Sequence, residues 1–194
     1  LRMSGLEASI LKLAGKGVPV FGICGGYQMM GEELEDPCGV EAGGSMRGMG
    51  LLPMRTVFGR SKVTTRTEGQ TEQLEGFWQA LSGRSYEGYE IKMGDTETSP
   101  ELAEVQVMAR RGDRVLGICR GNAAGTYIHG IFDSREMSDA ILEKLAAAKG
   151  ITLEAVGEGT DFRTYKESQY RLLAKELRAS LDMEAVYRII GEGL

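Results

Sequence analysis

The stretch Val18-Pro19-Val20-Phe21-Gly22-Ile23-Cys24-Gly25-Gly26-Tyr27-Gln28-Met29-Met30 decides the fold. Val18 to Ile23 is short and apolar on both faces, as a buried strand requires. Gly25-Gly26 interrupts it, and the residues from Tyr27 on resume in helical style. Upstream, Ser4 to Lys16 places Leu6, Ile10, Leu11 and Leu13 at helical spacing, with Ser4 and Glu7 set for a capping box and Gly15 and Gly17 as stops. Helix, strand, glycine turn, helix is the order of an α/β fold, expected here as an open, mostly parallel sheet flanked by helices.

Working outward, residues 35–50 read as loop. Leu51 to Phe58, Ser61 to Thr67, Tyr86 to Met93, Glu104 to Ala109, Arg114 to Arg120 and Gly125 to His129 read as strands. Gly94 to Pro100 is expected to be loop, and Gln70 to Gly83 stays undecided. Ser134 to Lys149, Lys166 to Ser180 and Met183 to Ile190 have helical spacing, the second with Leu172, Leu173 and Leu177 turned inward. No repeat or linker divides the chain, so one domain over 1–194 is expected.

The 194 residues are enough for one full core, burying roughly 70% of the unfolded chain's surface. With 23 basic and 28 acidic side chains the net charge is −5, which offers no reason to expect nucleic acid or an anionic membrane as partner. Three cysteines, Cys24, Cys38 and Cys119, with no Cys-x-x-Cys pair, suggest neither a disulfide framework nor a zinc site, and a reducing cytoplasm is the simple reading. One histidine and scattered carboxylates give no metal-ligand cluster. No apolar run reaches the ~18 residues that cross a bilayer.

Cys24 stands where strand meets helix. A residue on so sharp a turn is often held in strained backbone angles, and its glycine neighbours leave room for that. The helix that follows offers N–H groups and the positive end of a dipole, which favour a thiolate. The Gly25 N–H can point at an oxyanion. A free cysteine is also commonly a small core hydrophobe, and the local pattern alone leaves both readings open. Gly117-Ile118-Cys119-Arg120-Gly121 imitates the motif but leads into a turn, so Cys119 reads as an ordinary strand residue, as does Cys38 in its loop.

A cysteine nucleophile needs a proton-transfer partner. The sole histidine, His129, lies at the end of an expected strand, and active groups of α/β sheets gather beyond strand ends. No third acid is obvious. Ile131 stands two residues past the histidine and cannot serve, and Asp133 and Glu90 have no spacing argument. A Cys24–His129 dyad is the expectation.

The stretch Gly22 to Gln28 resembles the nucleophile motif of class I glutamine amidotransferases. Tyr27-Gln28-Met29-Met30-Gly31 is similar to the branch of cobyric acid and cobyrinic acid diamide synthases. Gly50-Leu51-Leu52-Pro53, Gly88-Tyr89-Glu90-Ile91, Gly125 to Phe132, Tyr165 to Tyr170 and Leu181-Asp182-Met183 favour the first of these. The resemblance implies that Cys24 attacks glutamine, His129 moves the protons, and Gly22, Gly25, Gln28, Tyr89 and Glu90 line the oxyanion and substrate site. It also implies a cytoplasmic enzyme with no cofactor in this domain. Ammonia would pass to an ATP- and Mg-dependent synthetase domain of the same polypeptide, which amidates corrinoid carboxylates in cobalamin biosynthesis. That domain, and the amidotransferase's own first strands, are expected to lie outside this sequence. Lys92 departs from the family's histidine at that position. The competing expectations are a diamide synthase, an amidotransferase of peptidoglycan precursors, hydrolysis of another γ-glutamyl amide or a peptide, and a non-catalytic interaction module.

Overall fold

The computed structural model describes residues 1–98, 104–153 and 162–192. By its internal contacts the chain divides into two compact units, 1–153 and 154–194, where one domain is expected from sequence. The first unit carries α1 (Leu6–Ala14), β1 (Val20–Ile23), α2 (Gly25–Met29), β2 (Glu33–Asp36), β3 (Gly44–Arg47), β4 (Met54–Gln70), β5 (Ser85–Thr98), β6 (Gln106–Arg111), β7 (Arg114–Arg120), β8 (Ala123–Thr126), β9 (Ile128–His129) and α3 (Arg135–Ala148). The second carries α4 (Phe162–Ser180) and α5 (Met183–Glu192), with Asp182 Oδ1 accepting the Ala185 N–H at the start of α5.

Two open sheets form the first unit. One has the order β1-β8-β7-β6 and the other β3-β2-β4-β5-β9. The α/β class is as expected, but the pairing is mixed. Only β1/β8 and β2/β4 are parallel, and the other described pairs are antiparallel. Tight connections explain the antiparallel sense of β2/β3, β6/β7 and β7/β8, since strands joined by a few residues return antiparallel.

Several boundaries differ from expectation. The expected loop at 35–50 takes in the end of β2 and all of β3, whose turn is organised by Asp36 Oδ1 and Oδ2 accepting the N–H groups of Val40, Glu41 and Gly43. Burial alone would raise the Asp36 pKa, yet these bonds to its charged form hold it below the usual carboxylate range. The two strands expected over 51–67 are one, β4, with a register shift between Val57 and Lys62, and β5 continues through Gly94 to Thr98. Residues 99 and 100 of the expected loop lie outside the described residues. Ser4 does not cap α1. Its Oγ donates to Leu1 O at 2.9 Å, and Glu7 pairs with Arg2. Leu172, Leu173 and Leu177, expected inward, are about half-exposed.

The largest difference lies at Gly125 to His129. This apolar run reads as one strand but serves two sheets. β8 ends at Thr126 beside β1, Tyr127 steps across, and β9 joins β5. The Tyr127 N–H bonds Leu116 O at 2.8 Å, and Thr126 Oγ1 accepts the Ile128 N–H at 3.1 Å, so the step itself is hydrogen-bonded. Leu74, Trp78, Leu81, Met108, Leu116, Ile128, Ile131 and Met137 make one core cluster, and Tyr27, Met30, Leu52, Met54, Ile118 and Tyr127 another.

Candidate active site

Cys24 has φ 52° and ψ −114° and is the one described non-glycine residue with positive φ. For a residue with a Cβ that conformation costs on the order of 1–3 kcal/mol. The surrounding bonds impose it. The Cys24 N–H bonds Thr126 O at 2.9 Å, and Cys24 O accepts the Gln28 N–H at 3.0 Å. The turn is also compressed from below. A Cβ on Gly22 would lie 2.7 Å from Tyr27 N and 2.8 Å from Gly26 C, and one on Gly125 would collide with the Tyr27 ring. Gly22 is buried, and the crowding around it leaves no room for a side chain. Gly25 and Gly26 are the reverse case. Nothing lies within 4 Å of where their Cβ atoms would be, so the space over the turn is open.

The edge of β5 organises what surrounds the sulfur. In a strand, residues two apart turn their backbone groups towards the same neighbour. Tyr89 pairs with His129 of β9. Two residues on, past the end of β9, Ile91 O accepts from Cys24 Sγ at 3.2 Å. Two further on, Met93 O accepts from Gln28 Nε2 at 3.4 Å. The backbone positions facing His129 and Cys24 are therefore roughly 7 Å apart along one edge. The sulfur and the imidazole, 105 residues apart in sequence, are brought to neighbouring stations. The bond to Ile91 O requires the thiol form, so the sulfur must release this carbonyl when its proton leaves. His129 Nε2 is buried and has no hydrogen-bond partner among the described residues, a condition rare among buried nitrogens and costly unless something binds there.

Gln28 is buried. Beyond Met93 O, its side chain lies beside the Tyr127 hydroxyl, which hydrogen-bonds Thr96 Oγ1 and has Thr56 close by. Burial pushes the Tyr127 phenol up, and these neighbours offset the rise only in part. Tyr89, half-exposed opposite His129, remains at the open side of the site.

Glu90 does not line the site. Strand side chains alternate, so Glu90 faces away from the side of Tyr89 and His129. It is fully buried, with Oε1 2.8 Å from Arg114 Nη2 and Oε2 2.9 Å from Arg111 Nη2. Oε1 accepts a hydrogen bond from Arg114, while Oε2 meets Arg111 as an ion pair without hydrogen-bond alignment; held on the far face, the carboxylate cannot be the third acid of His129. Lys92, on that same inner face, lies 3.2 Å from Asp95 Oδ1 and 5.2 Å from the centre of the Tyr127 ring. Cys119 is fully buried, and burial pushes its thiol up to about 11. Cys38 is exposed on the β2–β3 loop. The carbonyls of Ile91 and Met93 and the hydroxyl of Tyr127 are site groups that sequence reading missed. Backbone acceptors leave no trace in residue identity, and Tyr127 reads as an ordinary strand aromatic.

Residues 1–137 match the model of the CobB/CobQ-like glutamine amidotransferase domain. The whole chain is 43% identical to a cobyric acid synthase of Lachnoclostridium phytofermentans, covering 40% of that protein. It is 45% identical to one of Ruminiclostridium cellulolyticum, covering 38%. The chain thus spans about two fifths of the length of the curated relatives it matches. A solved glutamine amidotransferase, 18% identical, superposes with a TM-score of 0.51 over 75% of this chain and 70% of its own, which supports the fold alone. Strand–turn–helix at Cys24, the sheet layout and these matches agree: the chain belongs to the family of CobB/CobQ-like glutamine amidotransferase domains.

Proposed function

We propose that this chain hydrolyses glutamine to glutamate and ammonia, with Cys24 as nucleophile and His129 as acid and base. The observation that carries the reading is the strained Cys24 turn, one station along the β5 edge from a buried imidazole nitrogen that has no hydrogen-bond partner among the described residues. Cys24 Sγ leaves Ile91 O, gives its proton to His129 and attacks the side-chain amide carbon of glutamine. Gly25, at the open start of α2, offers its N–H to the oxyanion. His129 protonates the departing ammonia, leaving a glutamyl thioester on Cys24. Water deprotonated by His129 then attacks the thioester, releasing glutamate and restoring the thiol. A Cys–His dyad suffices for this sequence, since the imidazole carries each proton in turn.

The ammonia goes to an ATP- and Mg-dependent synthetase portion of the same polypeptide, which amidates carboxylates of a corrinoid. This reading rests on whole-chain similarity to cobyric acid synthases more than twice as long. Cytoplasmic operation fits it, and among the described residues no helix is long and apolar enough to cross a membrane. The test is ammonia release from glutamine, with covalent labelling by a chloroketone analogue of glutamine. Label on Cys24, prevented by free glutamine, supports the proposal. An intact fold that neither releases ammonia nor takes label overturns it.

A further inference from the structure

Cys24 and His129 belong to different sheets. Cys24 follows β1 of the four-stranded sheet, while His129 ends β9 of the five-stranded one. Their spacing therefore depends on how the sheets are tied together, and one tie is ionic. Arg111 ends β6 and Arg114 begins β7, paired across the Gly112-Asp113 turn of the first sheet. Both guanidinium groups close on the buried carboxylate of Glu90, in β5 of the second sheet. The residues flanking Glu90 are Tyr89, paired with His129, and Ile91, whose carbonyl receives Cys24 Sγ.

We infer that Glu90, gripped by Arg111 and Arg114, is a positioning residue that sets the separation of Cys24 and His129. The inference rests on the dyad proposed above. A carboxylate with no exposed surface is tolerated where opposite charges stand beside both its oxygens; the hydrogen bond from Arg114 to Oε1 fixes its direction, and Arg111 adds its charge beside Oε2. It acts through the strand, without touching substrate. Removing the charge keeps the chain connection through Tyr127 but frees the hairpin tip from β5. A misplacement approaching 1 Å between reacting groups costs up to about 100-fold in rate.

The experiment compares the wild-type full chain with Glu90→Gln, following glutamine hydrolysis and inactivation by the chloroketone analogue. Expected is a fall of about 10–100-fold in kcat and in the inactivation rate constant, with glutamine KM changed less than about threefold. A purely structural Glu90 gives another result: an unfolded fraction that does not react, and a remainder reacting at the wild-type rate. That result overturns the inference, as does a wild-type rate throughout. If Glu90→Gln does not fold, Arg114→Gln, at a partly exposed side chain, decides the matter. A several-fold slowing with KM preserved supports the inference, and no change in rate overturns it. A wild-type chain that takes no label refutes the dyad itself, which keeps the two failures distinguishable.

Discussion

Replacing Gly22 by alanine tests whether packing beneath the turn sets the reactivity of Cys24. The new Cβ would stand 2.7 Å from Tyr27 N and 2.8 Å from Gly26 C, where ordinary contact begins near 3.4 Å. A third neighbour, Met30 Sδ at 2.6 Å, is on a flexible side chain and can swing aside, whereas the two backbone atoms cannot. The start of α2 must therefore rise by roughly 0.7 Å, taking Cys24 and the Gly25 N–H with it. Overpacking of this kind costs about 1–3 kcal/mol of stability. A displacement of that size between reacting groups lowers the rate by about 10–100-fold. Gly26→Ala is the control, because its Cβ enters open space within the helix and is expected to raise stability by about 0.5–1 kcal/mol. Urea midpoints with fixed slope give the stabilities, and ammonia release at saturating glutamine gives the rate. A Gly22→Ala protein as stable and as fast as wild type would refute the reasoning.

His129→Asn is expected to lower kcat for glutamine by about 10²–10⁴-fold with the fold intact by circular dichroism, the range for loss of a general acid–base group. Cys24→Ser should abolish ammonia release while Cys119→Ser retains it, and equal loss in both folded variants contradicts the assignment. With its thiol held near 11, Cys119 has about one thiolate per thousand molecules at pH 8, so iodoacetamide should modify exposed Cys38 and leave Cys119 untouched in the native protein. The same shift gives a pH dependence. Native Cys119 keeps its proton where the unfolded chain, titrating near 9, has lost it. This contribution is fully present below about pH 9 and is lost as pH rises through about 11. Urea midpoints between pH 8 and 11 should fall more steeply in wild type than in Cys119→Ala, and parallel slopes would count against it.

The nucleophile turn was legible because several residues are constrained by one local geometry. Gly22 has to pass under α2 and Cys24 has to follow a strand end, and sequence spacing reports both. The strand-end place of His129 was legible too. The transfer of the chain between sheets at Tyr127 was not, since Thr126 to His129 is an unbroken run of β-formers and a strand-end histidine, with no proline or glycine at Tyr127 to mark the step. Glu90 misled for a different reason. It sits among motif residues, but its partners lie more than 20 positions downstream, and only alternation along a strand of known register shows which way it faces. Ser4 met every local rule for a cap and turned instead to Leu1 O, a choice made by backbone outside the helix. Pairing sense was equally hidden, because it follows from connections of only a few residues between β6, β7 and β8.

The strain at Cys24 and the division of the site between two sheets belong to one design. A cysteine in a relaxed extended conformation would keep its side chain beside the strand it follows. At φ 52° the sulfur instead leaves the first sheet and meets a carbonyl of the second. The cost of about 1–3 kcal/mol is borne by contacts that would also have to break for the turn to relax. These are the bond to Thr126 O, the start of α2, and the absence of a Cβ at Gly22 and Gly125. Thr126 is also the last residue before the chain crosses to β9, so the residue that anchors the strained turn launches the segment bearing His129. Any movement of β8 is passed to both groups at once. Movement between the sheets, by contrast, changes their separation, which is why a buried ionic tie at Glu90 matters more to the chemistry than its distance from the sulfur suggests.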